Sequence, residues 1–135
     1  MNIQFLASTK GGRELHKTYR DIVSLLEKYG TVHGKHLTET SLTVHGETSL
    51  SSTAILDREI ATLAHADLIV AEVTTPSLGV GYLIAIAVEK KKQVLCFYQG
   101  EHTDKLSAII RGNDAIQLHL YKTREDIQHI LETEI

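Results

Sequence analysis

The sequence predicts an α/β domain: one three-layer unit around a five-stranded, mostly parallel sheet. Two observations carry that expectation. Apolar runs of strand length alternate with segments of helical periodicity along the whole chain. The length, 135 residues, suits one domain with a real core and is too short for two. With right-handed crossovers, five strands give the order 2-1-3-4-5, the flavodoxin-like arrangement. That order puts a topological switch point between strands one and three, where open α/β sheets take their ligands.

The elements follow in order. Residues 3–7 read as the first strand. Leu15, Tyr19, Ile22, Val23 and Leu26 recur at helical spacing, and Gly30 is placed to cap that helix. Residues 31–36 read as a short second strand, on which His33 and His36 would point to opposite faces. Residues 38–53 are rich in Ser and Thr with little periodicity; they read equally as a lid or as a disordered insertion. Ile55, Ile60 and Leu63 mark a helix starting near Ser52 or Thr53 and ending near His65. Residues 67–73 form the third strand and 80–91 the third helix. Residues 94–98 are the fourth strand, and Leu106, Ile109 and Ile110 a short helix before Gly112. Residues 115–121 alternate Ile116, Leu118 and Leu120, a fifth strand with one wet face at the sheet edge. Thr123 to Asp126 resembles a capping box opening the last helix. There is no internal repeat.

Bulk properties narrow the class. A net charge of −3, from 14 basic and 17 acidic side chains, argues against a nucleic-acid platform. No apolar run approaches a membrane span, and the N-terminus lacks a secretory pattern. The single cysteine, Cys96, excludes an internal disulfide and points to the cytoplasm. Lying in an apolar run, it reads as a buried packing thiol rather than a nucleophile. No metal-ligand spacing appears among the eight histidines, and no cofactor is expected. His16, His102 and His129 read as solvated, and His45 is the one histidine that could reach a ligand from the lid.

Function rests on two turns. After the third strand come Thr74-Thr75-Pro76-Ser77-Leu78-Gly79, with the only proline in the chain. A helix follows, and the unpaired N–H groups of its first turn favour an anion. Small residues at 77 and 79 let a phosphate approach the backbone. After the first strand come Ser8-Thr9-Lys10-Gly11-Gly12-Arg13, two flexible positions flanked by cations. Alone, that turn is more simply a Gly-rich loop with solvated charges, since it has neither Walker A nor GxGxxG spacing. Because the switch point brings both turns to one crevice, phosphate binding becomes the better reading.

These residues resemble a known family. The blocks Ser8 to Glu14, Ala66 to Val73, Thr75 to Tyr82 and Leu106 to Gly112 are similar to the 2′-deoxynucleoside 5′-phosphate N-hydrolases of the nucleoside 2-deoxyribosyltransferase superfamily. The likeness covers nearly the whole chain in the same order, and Pro76-Ser77-Leu78-Gly79-Val80-Gly81-Tyr82 is its most specific block. It implies a Rossmann-like domain, a homodimer, and a nucleoside 5′-monophosphate or related phosphorylated ligand. It also implies that Ser8, Ser77 and Gly79 hold the phosphate, with Lys10, Gly11, Gly12 and Arg13 around it. Ser107 of the partner subunit would complete that cradle.

The chemical half of the pattern departs from the family. Where the family continues Gly-Tyr-Glu-Leu-Gly, with glutamate as nucleophile, this chain has Gly81-Tyr82-Leu83-Ile84-Ala85. Leu83 cannot form a glycosyl ester or stabilise an oxocarbenium ion. The family's aspartate matches Glu59, its tyrosine near the first strand matches Gln4, its first-turn glycine Ala7 and its arginine there Lys10. Gln4, Glu59, Glu72 and Leu83 are therefore the expected sugar and base region. Glu59 is the better candidate for a substitute carboxylate; Glu72 is expected to be already committed and Glu89 too distant. Two readings stand: a nucleotide-binding protein that has lost or much reduced hydrolysis, and a hydrolase or deoxyribosyltransferase with a displaced carboxylate.

Overall fold

All five strands run parallel in one sheet, in the order β2-β1-β3-β4-β5. The strands are β1 (Asn2–Leu6), β2 (Thr31–His33), β3 (Leu68–Glu72), β4 (Gln93–Gln99) and β5 (Ile116–Tyr121). Between them lie α1 (His16–Leu26), a 3₁₀ turn (Lys35–Thr38), α2 (Ser52–His65), α3 (Leu78–Glu89) and α4 (Ala108–Arg111); α5 (Arg124–Glu134) follows β5. The structure, a computed structural model, describes residues 1–9, 15–38 and 48–135. The expected fold class and strand order are the ones observed.

The pleat sends alternate side chains into two cores. Ile3 and Phe5 of β1, Leu68 and Val70 of β3 and Phe97 of β4 pack against α1 and α5. Leu6, Ile69, Ala71 and Cys96 face the other way, toward α2 and α3. Central β3 is buried at every residue, which is why its sequence is continuously apolar up to Glu72. Tyr19 of α1 meets Phe5 edge to face at 5.9 Å between ring centroids. At the start of α5, Thr123 accepts from the Asp126 amide while Asp126 accepts from the Thr123 amide, the expected capping box. Among the described residues, no helix is long and apolar enough to cross a membrane.

Several boundaries and one strand face differ from expectation; four of these differences have a local reason. Gly30 does not cap α1; the cap is Glu27. Gly30 is needed because a Cβ there would lie 2.1 Å from the Met1 carbonyl oxygen. Strand β2 stops at His33, because Gly34 turns the chain at φ +95° into the 3₁₀ turn that carries His36 and Leu37. Helix α3 starts at Leu78 rather than 80, since Ser77 caps it by accepting from the Val80 amide at 3.2 Å. On β5, Ile116 is buried but Leu120 on the same face is exposed, so the dry face opens toward the strand's end. Of the expected 38–53 segment, residues 39–47, including His45, lie outside the described residues.

Gly34 aims the 3₁₀ turn at the neighbouring cleft, and a Cβ there would come within 2.3 Å of the Phe5 carbonyl oxygen. Gly34→Ala should therefore cost about 1–3 kcal/mol, from positive φ and backbone crowding together. Urea unfolding should show an earlier midpoint with an unchanged slope.

Candidate active site

The carboxyl ends of β1 and β3 stop beside each other, and α2, α3 and the 3₁₀ turn close around them. The result is a cleft of about 360 Å³. Its floor is Leu6 and Ala7 of the first strand and turn. One wall is α2, where Ser52, Ile55, Leu56 and Glu59 fall on one stripe at i, i+3, i+4 and i+7. The other wall is the first turns of α3, with Gly79, Val80 and Leu83. His36 and Leu37 form the rim.

Ser77, Gly79 and Thr9 line the cleft together. Ser77 Oγ accepts from the Val80 amide, so its own hydroxyl proton is left to donate elsewhere. The first helical bond in this turn runs from the Gly81 amide to the Ser77 carbonyl. The amides of Leu78 and Gly79 therefore precede the hydrogen-bonded ladder and point out of the helix start. Nothing crowds Gly79: a Cβ there would meet only Ser77 Oγ, at 4.0 Å. A hydroxyl, free amides and the positive end of a 12-residue helix can hold a small anion. Ser8 lies between two cleft-lining residues and is itself buried. Lys10, Gly11, Gly12 and Arg13 lie outside the described residues.

Leu83 and Glu59 line the same cleft. Leu83 is half-buried and packs on the apolar cluster under α3. Glu59 is fully engaged. Its Oε1 accepts from Arg58 Nε at 3.1 Å and Nη2 at 2.7 Å, and its Oε2 accepts from Gln4 Nε2 at 2.7 Å. Gln4 is completely buried beneath it, and its Oε1 has no partner among the described residues. Arg58 also contacts His36, at 3.3 Å between Nη2 and Nε2. Sequence reasoning did not single out Arg58, because adjacent helical residues do not face each other. The signal available was its place three residues after Ile55, on the edge of the same stripe.

One expected site residue falls elsewhere. Glu72 does not line the cleft. Strand alternation turns it to the opposite face, where it is buried at the end of β3. There it accepts from the Thr74 amide at 3.3 Å, the Thr74 hydroxyl, and the Tyr121 hydroxyl at 3.1 Å. Burial pushes its carboxyl up to about 7, only partly offset by these donors. Ser107, expected to act from a partner subunit, lines in its own chain an apolar groove of about 490 Å³ between α3 and α4, which shares Ser77 and Val80 with the cleft. Among the described residues, no group of three or more His, Cys, Asp or Glu could hold a metal ion.

Two measurements check these assignments. Ser77→Ala should lower stability by about 1 kcal/mol through loss of the α3 cap, whereas Ser77→Gly should cost only a few tenths, read as thermal midpoints. The second concerns Glu72, whose pKa is higher folded than its ordinary 4.5, so the folded chain holds a proton that the unfolded chain releases. Its contribution is full below about pH 4.5 and is lost as pH rises through about 7, on the order of 3 kcal/mol. Denaturation across that range should show the fall in wild type, and Glu72→Gln should remove it.

No protein-family model matches the chain. Individual proteins do. The 5-hydroxymethyl-dUMP N-hydrolase of Danio rerio is 42% identical over 135 residues, covering 98% of this chain and 94% of the relative. A protein of Nematostella vectensis named as a 2′-deoxynucleoside 5′-phosphate N-hydrolase is 41% identical over 114 residues, 82% of this chain and 76% of that one. Among solved structures, a CMP N-glycosidase of Clostridium botulinum superposes with a TM-score of 0.73 at 18% identity, covering 98% of this chain and 99% of the other. That last likeness speaks to the fold alone. On the sequence relatives, the chain belongs to the 2′-deoxynucleoside 5′-phosphate N-hydrolase family.

Proposed function

We propose that this protein binds a nucleoside 5′-monophosphate and has lost, or nearly lost, the ability to break its N-glycosidic bond. The observation that carries the reading is the unlike chemistry of two sets of residues that line one cleft. The Ser77–Gly79 set keeps a hydroxyl and free helix-start amides, suited to a phosphate monoester. Ser8 and the Lys10 to Arg13 turn would add donors and charge to it. The sequence relatives are named as hydrolases of 5-hydroxymethyl-dUMP and of 2′-deoxynucleoside 5′-phosphates, which supports that class of ligand here.

Toward the sugar and base, Leu83 stands on α3 where the family resemblance implies the nucleophilic glutamate. N-glycoside cleavage through a covalent intermediate needs a carboxylate at C1′ and an acid for the leaving base. Loss of such a nucleophile removes many orders of magnitude of rate. Glu59 lies in the same cleft, and that favours the second reading, a hydrolase using a displaced carboxylate. Both of its oxygens are occupied, however, and the Arg58 cation beside it lowers its nucleophilicity. A binding role fits this carboxylate better: orienting Gln4 and a ligand hydroxyl. The chain would then sense the nucleotide or regulate an active relative, in the cytoplasm.

The functional unit on this reading is a homodimer. Leu78 is 96% and Ile109 83% exposed, and Tyr82 stands out beside them. With the groove that holds Ser107, they form one apolar surface continuous with the Ser77 turn. Pairing two copies there would cover it and bring Ser107 of the partner subunit to the phosphate.

Incubation with dUMP and CMP, followed by chromatography, decides between the readings. Thermal stabilisation by nucleotide without release of free base is the expected outcome. Base release that disappears in Glu59→Ala would establish the displaced-carboxylate enzyme instead. Leu83→Glu should gain base release if the remaining pocket is intact.

A further inference from the structure

Glu72 takes no part in the cleft, yet it is the one buried carboxyl next to the turn that presents Ser77. Three donors converge on it. The Thr74 hydroxyl and the Tyr121 hydroxyl both reach Oε1, and the Thr74 amide lies 3.3 Å from Oε1 and 3.4 Å from Oε2. Thr74 Oγ1 in turn accepts from the Gln99 amide at 2.8 Å. One carboxyl thus ties the first residue of the Thr74-Thr75-Pro76-Ser77 turn to the ends of β4 and β5. The bonds gather on Oε1 and leave Oε2 with a single long contact, so Oε2 can carry a proton while Oε1 goes on accepting.

We propose that Glu72 is a positioning residue for the anion cradle: protonated, it holds the Thr74–Ser77 turn closed, and ionised, it favours an opened turn in which the carboxylate reaches water. The consequence for ligand affinity rests on the reading of Ser77 and Gly79 as a phosphate site. The reasoning is linkage. Thr74 covers the carboxyl, and lifting Thr74 away rehydrates it. Rehydration removes the desolvation that raises the pKa to about 7, the largest cause, and outweighs the loss of the two Thr74 hydrogen bonds that lower it. A state with the lower pKa gains population as pH rises. Cys96 and Tyr121, which couple directly to Glu72, keep their protons in this range. The Cys96 thiol of β4 is pushed up to about 12 by burial, and burial raises Tyr121 of β5 further still. Tyr19 of α1 acts only through Tyr121. His119 of β5 lies beyond Phe97, with 6.3 Å between ring centroids.

The test is hydrogen exchange at the amides of residues 74–80 from pH 5 to pH 8.5, in the unliganded wild type, Glu72→Gln and Tyr121→Phe. Intrinsic exchange cancels in the ratio of wild type to Glu72→Gln. That ratio should rise by at least about tenfold between pH 5 and pH 8. Tyr121→Phe removes a donor that favours the carboxylate, so its midpoint should move to higher pH, and this arm stands even if Glu72→Gln fails to fold. In parallel, dUMP should bind the wild type progressively more weakly than Glu72→Gln over the same range, the probe's own ionisation cancelling. An exchange ratio that is flat or falls with pH overturns the proposal while leaving dUMP binding, and hence the cradle, in place. An exchange ratio that rises while dUMP binds no form of the protein upholds the catch and overturns the cradle reading.

Discussion

Parallel pairing of β1 with β3 is the constraint on which the rest depends. Ile3 aligns with Leu68 and Leu6 with Ala71, so both strands end at the same level with their following turns side by side. No local interaction could bring residues 9 and 77 together; only the crossover that inserts β1 between β2 and β3 does so. The apolar runs of β1 and β3 therefore do more than fill a core. They set the register at which a first-turn hydroxyl, a helix start and the α2 stripe meet.

Once that register is fixed, two sets of residues lining the cleft differ in physical character. One presents unpaired donors at a helix start and favours negative charge. In the other, Arg58 and Gln4 both donate to the Glu59 carboxylate, beside an aliphatic Leu83. A charge already compensated by its neighbours can orient a ligand but has little left to drive bond cleavage. On our reading, the cleft discriminates between holding a nucleotide and acting on it through this difference in compensation, with its overall shape retained.

Much of this was legible in the sequence because it depends on period and topology. Continuous apolarity in residues 68–71 gave a central strand, the Thr123 and Asp126 pair gave a helix start, and alternation of elements gave the order of the sheet. What escaped depends on facing. The side of β3 to which Glu72 turns is set by pleat parity, and its partner Tyr121 is 49 residues away. Arg58 was passed over because adjacent helical residues do not face each other, yet it donates to its neighbour's carboxylate. Gly30 and Gly34 were visible as glycines, but the carbonyl oxygens of Met1 and Phe5 that require them come from another strand.

Cys96 has a practical consequence of a different kind. It is the only thiol in the chain, wholly enclosed on central β4, and burial holds it about three pH units above its ordinary ionisation. An alkylating reagent needs the thiolate and needs access, and the native state supplies neither. Modification at this position therefore clocks global opening of the sheet. A second cysteine introduced on the surface could take a fluorophore or spin label selectively, with the native one left unaltered.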